Sequence, residues 1–240
     1  MKKIFKLIKV LLVLIIISAV AVCGTITVNG YQLYQEVITQ VSLEDKIEQI
    51  QSSEDYITLD DIPKDFQDAI IAIEDHRFYS HFGIDLIALG RAVITNVTNG
   101  EIIGGGSTIT QQLAKNMYFT QEKKFTRKVA EAFVAFDLER NYEKEEILEL
   151  YLNISYFGDG FYGINAAANG YFNKEPMELT LDECTLLAGL INAPSVYALS
   201  NHTILSYQRQ EQVIDAMVKY DYLSLEEANT LKESLPTSVK

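Results

Sequence analysis

The chain has 240 residues, 48% of them hydrophobic and 22% charged, which suits one domain of ordinary size or two small ones and excludes wholesale disorder. Lys+Arg is 20 and Asp+Glu is 33, a net charge of -13; Lys2, Lys3, Lys6 and Lys9 precede the first acid, Glu36, so the rest carries sixteen basic against thirty-three acidic residues, -17, which disfavours a nucleic-acid partner. Two cysteines exclude a disulfide-stapled scaffold and a Cys-rich zinc site.

Val10 to Val28 is an uncharged apolar run. At about 1.5 Å per residue it nearly spans a hydrocarbon core of about 30 Å. The four lysines lie only on its N-terminal side, which puts that end in the cytoplasm and the remainder outside. An uncleaved anchor is expected. A cleaved signal peptide would use Ala19-Val20-Ala21, but that site lies inside the apolar run. A lipoprotein anchor at Cys23 would follow Val22, which is bulky for such processing. The chain then divides into residues 1–30, tail and membrane anchor, and residues 31–240, an extracytoplasmic body.

Helical periodicity dominates that body. Phe66, Ala69, Ile70 and Ile73 form one stripe, with Pro63 suited to the first turn. Val129, Phe133 and Phe136 form a second, and Ile147, Leu148, Tyr151 and Leu152 a third. Thr180 to Glu183 and Ser224 to Glu227 read as capping boxes, and Tyr207 to Tyr220 as an amphipathic helix. Asp55 to Leu59 is the best short strand candidate.

Three segments carry chemistry. The first is Glu74 to Gly83, EDHRFYSHFG, beginning where the Phe66 stripe ends. Glu74 falls near a helix C-terminus, where the macrodipole disfavours a charged carboxylate, as suits a general base. A plain ion pair between Glu74 and Arg77 is the alternative. His76 and His81, five apart, do not share a helix face as a zinc pair would.

The second is Gly104 to Asn116, GGGSTITQQLAKN. Glycines let backbone N–H groups approach a ligand, and the hydroxyls, amides and ammonium that follow suit an anion such as pyrophosphate. A flexible loop leading into a polar helix face is the alternative. The third is Lys123 to Glu131. Five basic residues against one acid lie between Lys115 and Lys128, a positive island in an acidic body. Arg127 and Lys128 stand four and three residues before Glu131, which suits either an ordinary intrahelical ion pair or a carboxylate set in a phosphate-binding cluster.

At these segments the sequence resembles the peptidoglycan glycosyltransferase family, found as monofunctional transglycosylases and as the transglycosylase module of class A penicillin-binding proteins. The motif E-D-x-x-F-x-x-H-x-G stands as Glu74 to Gly83, G-G-S-T-I-T-Q-Q-x-x-K-N as Gly105 to Asn116, and R-K-x-x-E as Arg127 to Glu131. K-x-E-I-L-E-x-Y-L-N stands as Lys144 to Asn153, and a fifth motif runs from Gly163 to Phe172. Asn165 stands where many members have an acid, Asn173 where many have Gly, and Lys123 where Arg is frequent. No Ser-x-x-Lys or Lys-Thr-Gly accompanies them, so the chain reads as monofunctional.

The resemblance implies a mainly α, lysozyme-like fold with a large lobe and a smaller one dipping into the membrane surface, after one transmembrane helix. It implies polymerisation of lipid II into β-1,4 glycan at the plasma membrane, with inversion. Glu74 resembles the general base and Glu131 the second family carboxylate. Substrate binding falls to His81, Ser107, Gln111, Gln112, Lys115, Lys123, Arg127 and Lys128. No cofactor is required, although a divalent cation (Mg or Mn) bridging the pyrophosphate is compatible. Expected partners are lipid II, the growing glycan strand, the membrane and other cell-wall synthesis proteins. A lysozyme-like glycan-cleaving enzyme and a non-catalytic membrane scaffold are the rivals.

Overall fold

The computed structural model of the chain describes residues 2–99, 106–119, 124–201 and 203–236. The helices in chain order are α1 (Lys2–Gln40), α2 (Leu43–Gln51), α3 (Lys64–Glu74), α4 (Leu86–Asn99), α5 (Ile109–Tyr118), α6 (Phe125–Asn141) and α7 (Lys144–Ile154). A short hairpin, β1 (Tyr156–Gly158) and β2 (Phe161–Tyr162), precedes α8 (Ile164–Phe172), α9 (Leu181–Leu190), α10 (Pro194–Tyr197), α11 (Thr203–Lys219) and α12 (Leu225–Ser234). The fold is mainly α.

Helix α1 is 39 residues long and apolar enough to cross a membrane. At 1.5 Å per residue it measures about 58 Å, roughly twice a hydrocarbon core. It passes through residue 30 without interruption, and its C-terminal end packs along α6. Tyr31, Tyr34 and Phe133 form an aromatic cluster with centroids 5.2 to 5.7 Å apart, and the Tyr34 hydroxyl donates to Asp137. The crossing is tightest at Gly30. A Cβ there would lie 2.6 Å from the Val129 side chain and 2.9 Å from the Thr126 carbonyl oxygen.

The core lies among α3, α5, α7, α9 and α11, where Phe66, Ile70, Leu113, Leu148, Leu187 and Val213 have no exposed surface. Phe66, Ile70 and Leu148 are inward positions that the helical stripes predict, whereas Val129, Phe133 and Phe136 of the second stripe are only half-buried. Capping boxes fix four helix starts: Thr108 with Gln111, Glu143 with Glu146, Thr180 with Glu183, and Ser224 with Glu227. The last two are read directly from the sequence. Asn173 adopts the left-handed conformation, φ 53°, at the C-cap of α8. Asn tolerates that conformation best after Gly, which suits it to this C-cap.

The expected strand at Asp55 to Leu59 does not form. Residues 56–58 are irregular and lead into a 3₁₀ turn, Leu59–Asp61. Side chains of α7 take the place of a partner strand. The Ile57 N–H donates to Asn153 Oδ1 at 3.0 Å, Asn153 Nδ2 donates to the Ile57 carbonyl at 2.9 Å, and the Leu59 N–H donates to Glu149 Oε2 at 2.6 Å. The hairpin instead forms around Asp159-Gly160, both at positive φ, the geometry a two-residue turn prefers.

Gly30→Val is expected to loosen α1 from α6 and to lower stability by about 1–3 kcal/mol, the usual cost of overpacking. Thermal unfolding of the full chain in detergent checks this. Gly24→Val, with nothing within 4 Å of the new Cβ, should leave the midpoint unchanged or slightly raised.

Candidate active site

Glu74 is the last residue of α3, with Asp75 as the C-cap. Its side chain is 8% exposed. Gln112 Nε2 on α5 donates to Glu74 Oε2 at 2.7 Å. The hydroxyl of Tyr151, a fully buried residue on α7, donates to Gln112 Oε1 at 3.1 Å and so fixes the amide's orientation. Burial, reinforced by the Glu74 charge, pushes the Tyr151 phenol well above its ordinary pKa and keeps it a neutral donor. The other carboxylate oxygen, Oε1, is buried and accepts no hydrogen bond among the described residues. Arg209 Nη2 on α11 lies 3.7 Å from it. Arg77, the partner expected from spacing, pairs with Asp85 at 2.9 Å instead.

Asp75 holds the next segments in register. Its Oδ2 accepts from His81 Nε2 at 2.8 Å and from the Ile109 N–H at 3.0 Å, so one buried carboxylate ties the first motif to the start of α5. Thr108 Oγ1 donates to the Gly83 carbonyl at 2.6 Å and adds a second tie. His81 is thereby placed in the framework, its side chain only 4% exposed. Gln111 is also inward: its Oε1 accepts from the Thr108 N–H in the capping box.

Glu131 is completely buried on α6. Lys128 Nζ lies 2.7 Å from Oε2, and Arg127 Nε lies 2.8 Å from Oε1. A buried carboxylate needs such partners to keep its charge. Lys128 Nζ also donates to Ser107 Oγ at 2.8 Å, joining the second motif to the third. Lys115 belongs to the same electrostatic group. Burial pushes its pKa down, Lys128 and Arg127 push the same way, and Glu131 and Glu74 oppose them. Lys123 lies outside the described residues.

Each partner of the Glu74–Gln112 bond lines a different cleft. One, of about 520 Å³, is lined by Glu74, His76, Ser107, Lys219 and Tyr220 among others. The other, of about 600 Å³, is lined by Gln112, Lys115, Asn116, Tyr156 and Tyr162 among others. The structure thus brings together Glu74 with Gln112, and Ser107 with Arg127, Lys128 and Glu131, while Gln111 and His81 brace the elements that carry them. Sequence reasoning named Tyr151 only as a stripe residue and Asp75 only within its motif, and did not name Arg209. Tyr151 and Arg209 sit within helical stripes, where they read as core or solvated face, and only three-dimensional proximity links them to Glu74.

A helical domain on a helix long and apolar enough to cross a membrane, with one carboxylate lining a cleft and another inside a cationic cluster, defines the class. The chain belongs to the transglycosylase family: the family model described as Transglycosylase matches residues 42–218. It is 46% identical over 174 residues to penicillin-binding protein 1F of Bacillus subtilis, covering 72% of this chain and 24% of that one. It is 46% identical over 172 residues to penicillin-binding protein 1A of Aquifex aeolicus, covering 72% and 24%. The crystal structure of penicillin-binding protein 1A from Haemophilus influenzae aligns with 25% identity and a TM-score of 0.45, covering 75% of this chain and 17% of that one. The chain therefore spans about a quarter of the length of the curated relatives it matches.

Tyr151→Phe should leave the Gln112 oxygen without its buried donor, at a cost of about 1–3 kcal/mol. Thermal unfolding should show that loss, and activity should fall because the amide no longer holds Glu74 in one rotamer. The depressed Lys115 pKa predicts a pH effect with a definite sign. The ammonium is charged below its pKa, so affinity for an anionic ligand is present there and is lost as pH rises through a range below that of an ordinary lysine. Lys115→Arg should move that alkaline loss to higher pH, read as a KM profile.

Proposed function

We propose that the chain is a membrane-anchored, monofunctional peptidoglycan glycosyltransferase that polymerises lipid II. One observation carries the mechanism: Glu74 Oε1 is buried in the wall of one cleft with no hydrogen-bond partner among the described residues, and its partner Gln112 lines a second cleft together with Lys115. Glu74 takes the proton from the 4-hydroxyl of the acceptor N-acetylglucosamine. That oxygen forms a bond to the anomeric carbon of the donor N-acetylmuramic acid from the face opposite the leaving group. The bond to undecaprenyl pyrophosphate breaks, and the configuration inverts. Gln112 and Arg209 hold the carboxylate in place as its charge is neutralised.

The pyrophosphate gathers negative charge as it leaves, and fixed cations in a dry site stabilise that charge where it develops. Lys115, Arg127 and Lys128 fill this role, with Ser107 orienting Lys128 and Lys123 added from the sequence. Glu131 holds Arg127 and Lys128 in position rather than moving a proton. Among the described residues no three His, Cys, Asp or Glu groups converge to hold a divalent cation, and a cation bound with the substrate would add positive charge to the cluster. The anchor and its lysines support a single-pass plasma-membrane protein with the catalytic body outside the cytoplasm. A glycan-cleaving enzyme would have no use for a pyrophosphate-sized cationic cluster.

Labelled lipid II incubated with the purified full chain and resolved on a gel tests the proposal. Polymer is expected; shortening of added glycan, or no product, would overturn it. Glu74→Gln should slow polymerisation by roughly 10²-fold or more with little change in lipid II binding, since a base acts mainly in the transition state. Lys115→Ala should weaken binding as well, and Glu131→Gln should fall between the two. Near-wild-type polymerisation by a folded Glu74→Gln protein would remove the mechanism.

A further inference from the structure

The cleft that holds Lys115 is lined by three stretches of chain: α5 through Gln112 and Lys115, the hairpin through Tyr156 and Tyr162, and residues 191–196, where α9 ends and α10 begins. The hairpin and the α10 stretch are separate in sequence, and the side chain of Asp159 joins them. Asp159 occupies the hairpin turn at φ 51°. Its Oδ1 accepts from the Ser200 hydroxyl, and its Oδ2 accepts from the Ser200 N–H at 3.3 Å and from the Tyr171 hydroxyl at 3.0 Å. Ser200 lies three residues beyond the end of α10. Beside this tie the two stretches are in close contact. A Cβ at Gly158 would lie 2.8 Å from Ala198 Cβ and 2.9 Å from the Pro194 carbonyl oxygen. No step of the transfer described above uses Asp159.

We propose that Asp159 is a positioning residue for glycan transfer: it ties the hairpin to the chain that follows α10 and so fixes two of the three walls between which the donor strand lies. The inference rests on the glycosyltransferase reading, which puts the leaving pyrophosphate at Lys115 and hence the donor sugars in the cleft that Lys115 lines. A strand under extension must stay in place while the next acceptor arrives, and a wall free to shift holds it less well. Walls ordered before the ligand binds remove an entropic cost from binding. Asp159 suits a fixed tie. Both of its oxygens are engaged, and Asp tolerates the left-handed conformation of the turn better than most residues do. The Ser200 hydroxyl, opposed by desolvation and aided by Tyr171, holds the Asp159 carboxyl below the usual carboxylate range. The charged tie is therefore complete above that range and is lost only as pH falls through the lowered pKa.

Polymerisation kinetics and strand length, measured on the full chain in nanodiscs with three variants, test this. Asp159→Gly removes the carboxylate but keeps a residue at ease with positive φ. Ser200→Ala removes one donor and leaves the turn untouched. Asp159→Asn can turn its oxygen to the Ser200 N–H and Tyr171 and its amide N–H to the Ser200 hydroxyl, so it retains the tie without the charge. In Asp159→Gly, KM for lipid II should rise about fivefold, equivalent to roughly 1 kcal/mol, and strands should shorten. Its kcat should change by less than about twofold, the pattern of lost binding rather than lost chemistry. Ser200→Ala should act in the same direction by less, and Asp159→Asn should restore most of the wild-type strand length. A protein that was merely destabilised would lose active fraction, and so kcat, while keeping its KM. Reduced kcat with unchanged KM and strand length in Asp159→Gly would overturn the proposal. So would wild-type KM and strand length in both Asp159→Gly and Ser200→Ala, and either result would leave polymerisation itself intact. Absence of polymer from the wild-type chain would instead sink the glycosyltransferase reading, and this inference with it.

Discussion

Glu131 is a carboxylate with no access to water, and the catalytic half of the structure is arranged around keeping it charged. A buried ion without partners costs several kcal/mol, so Arg127 and Lys128 are held at its two oxygens. That pairing fixes one face of α6 and brings Ser107 to Lys128. It leaves the cations positioned before any ligand arrives. Cations already paired within the protein need little reorganisation to meet a second anion, which is what transition-state stabilisation by fixed charges requires. Lys115, whose ammonium is disfavoured by burial and by its cationic neighbours, gains most from such a ligand.

The opposite side of α6 does a different job. It receives the C-terminal end of α1 through Gly30, Tyr31 and Tyr34. One helix therefore connects the membrane to the charges of the site without an intervening linker. The side facing the cleft is polar and paired. The side facing the anchor is aromatic and close-packed. The apolar stripe of Val129, Phe133 and Phe136 read from the sequence is the side that faces the anchor, while the deeper face carries Glu131.

Much of this was legible in the residues. The stripes of α3, α7 and α11 report their inward faces, because burial against a helical core imposes a period of 3.6. The spacing of Arg127, Lys128 and Glu131 gives the ion triad directly, because helical neighbours at three and four residues must meet. What failed depends on partners distant in sequence. The Asp55 to Leu59 segment has strand composition, yet Asn153 and Glu149 take its backbone groups, and no local pattern announces that. Glu74 pairs with Arg209 across the core rather than with nearby Arg77, which Asp85 claims. The Asp159-Gly160 turn was a readable hairpin signal, but its strands are too short to show alternation. Gly30 reads as one more small residue in an apolar run until the helix that crosses it is known.

The unbroken course of α1 makes the anchor a rigid gauge as well as a tether. Each residue of an α-helix adds 1.5 Å of height and about 100° of rotation. The number of residues between the hydrocarbon and Gly30 therefore sets how far the clefts stand from the bilayer and also which side of the domain turns toward it. A flexible stalk would leave both to diffusion. In this protein a single inserted residue between Val28 and Gly30 would turn the aromatic contact of Tyr31 and Tyr34 away from Phe133, so the domain would have to give up either its orientation to the membrane or its grip on the helix. The length of the span is thus under two constraints at once, one from lipid thickness and one from the angular phase of the catalytic helix.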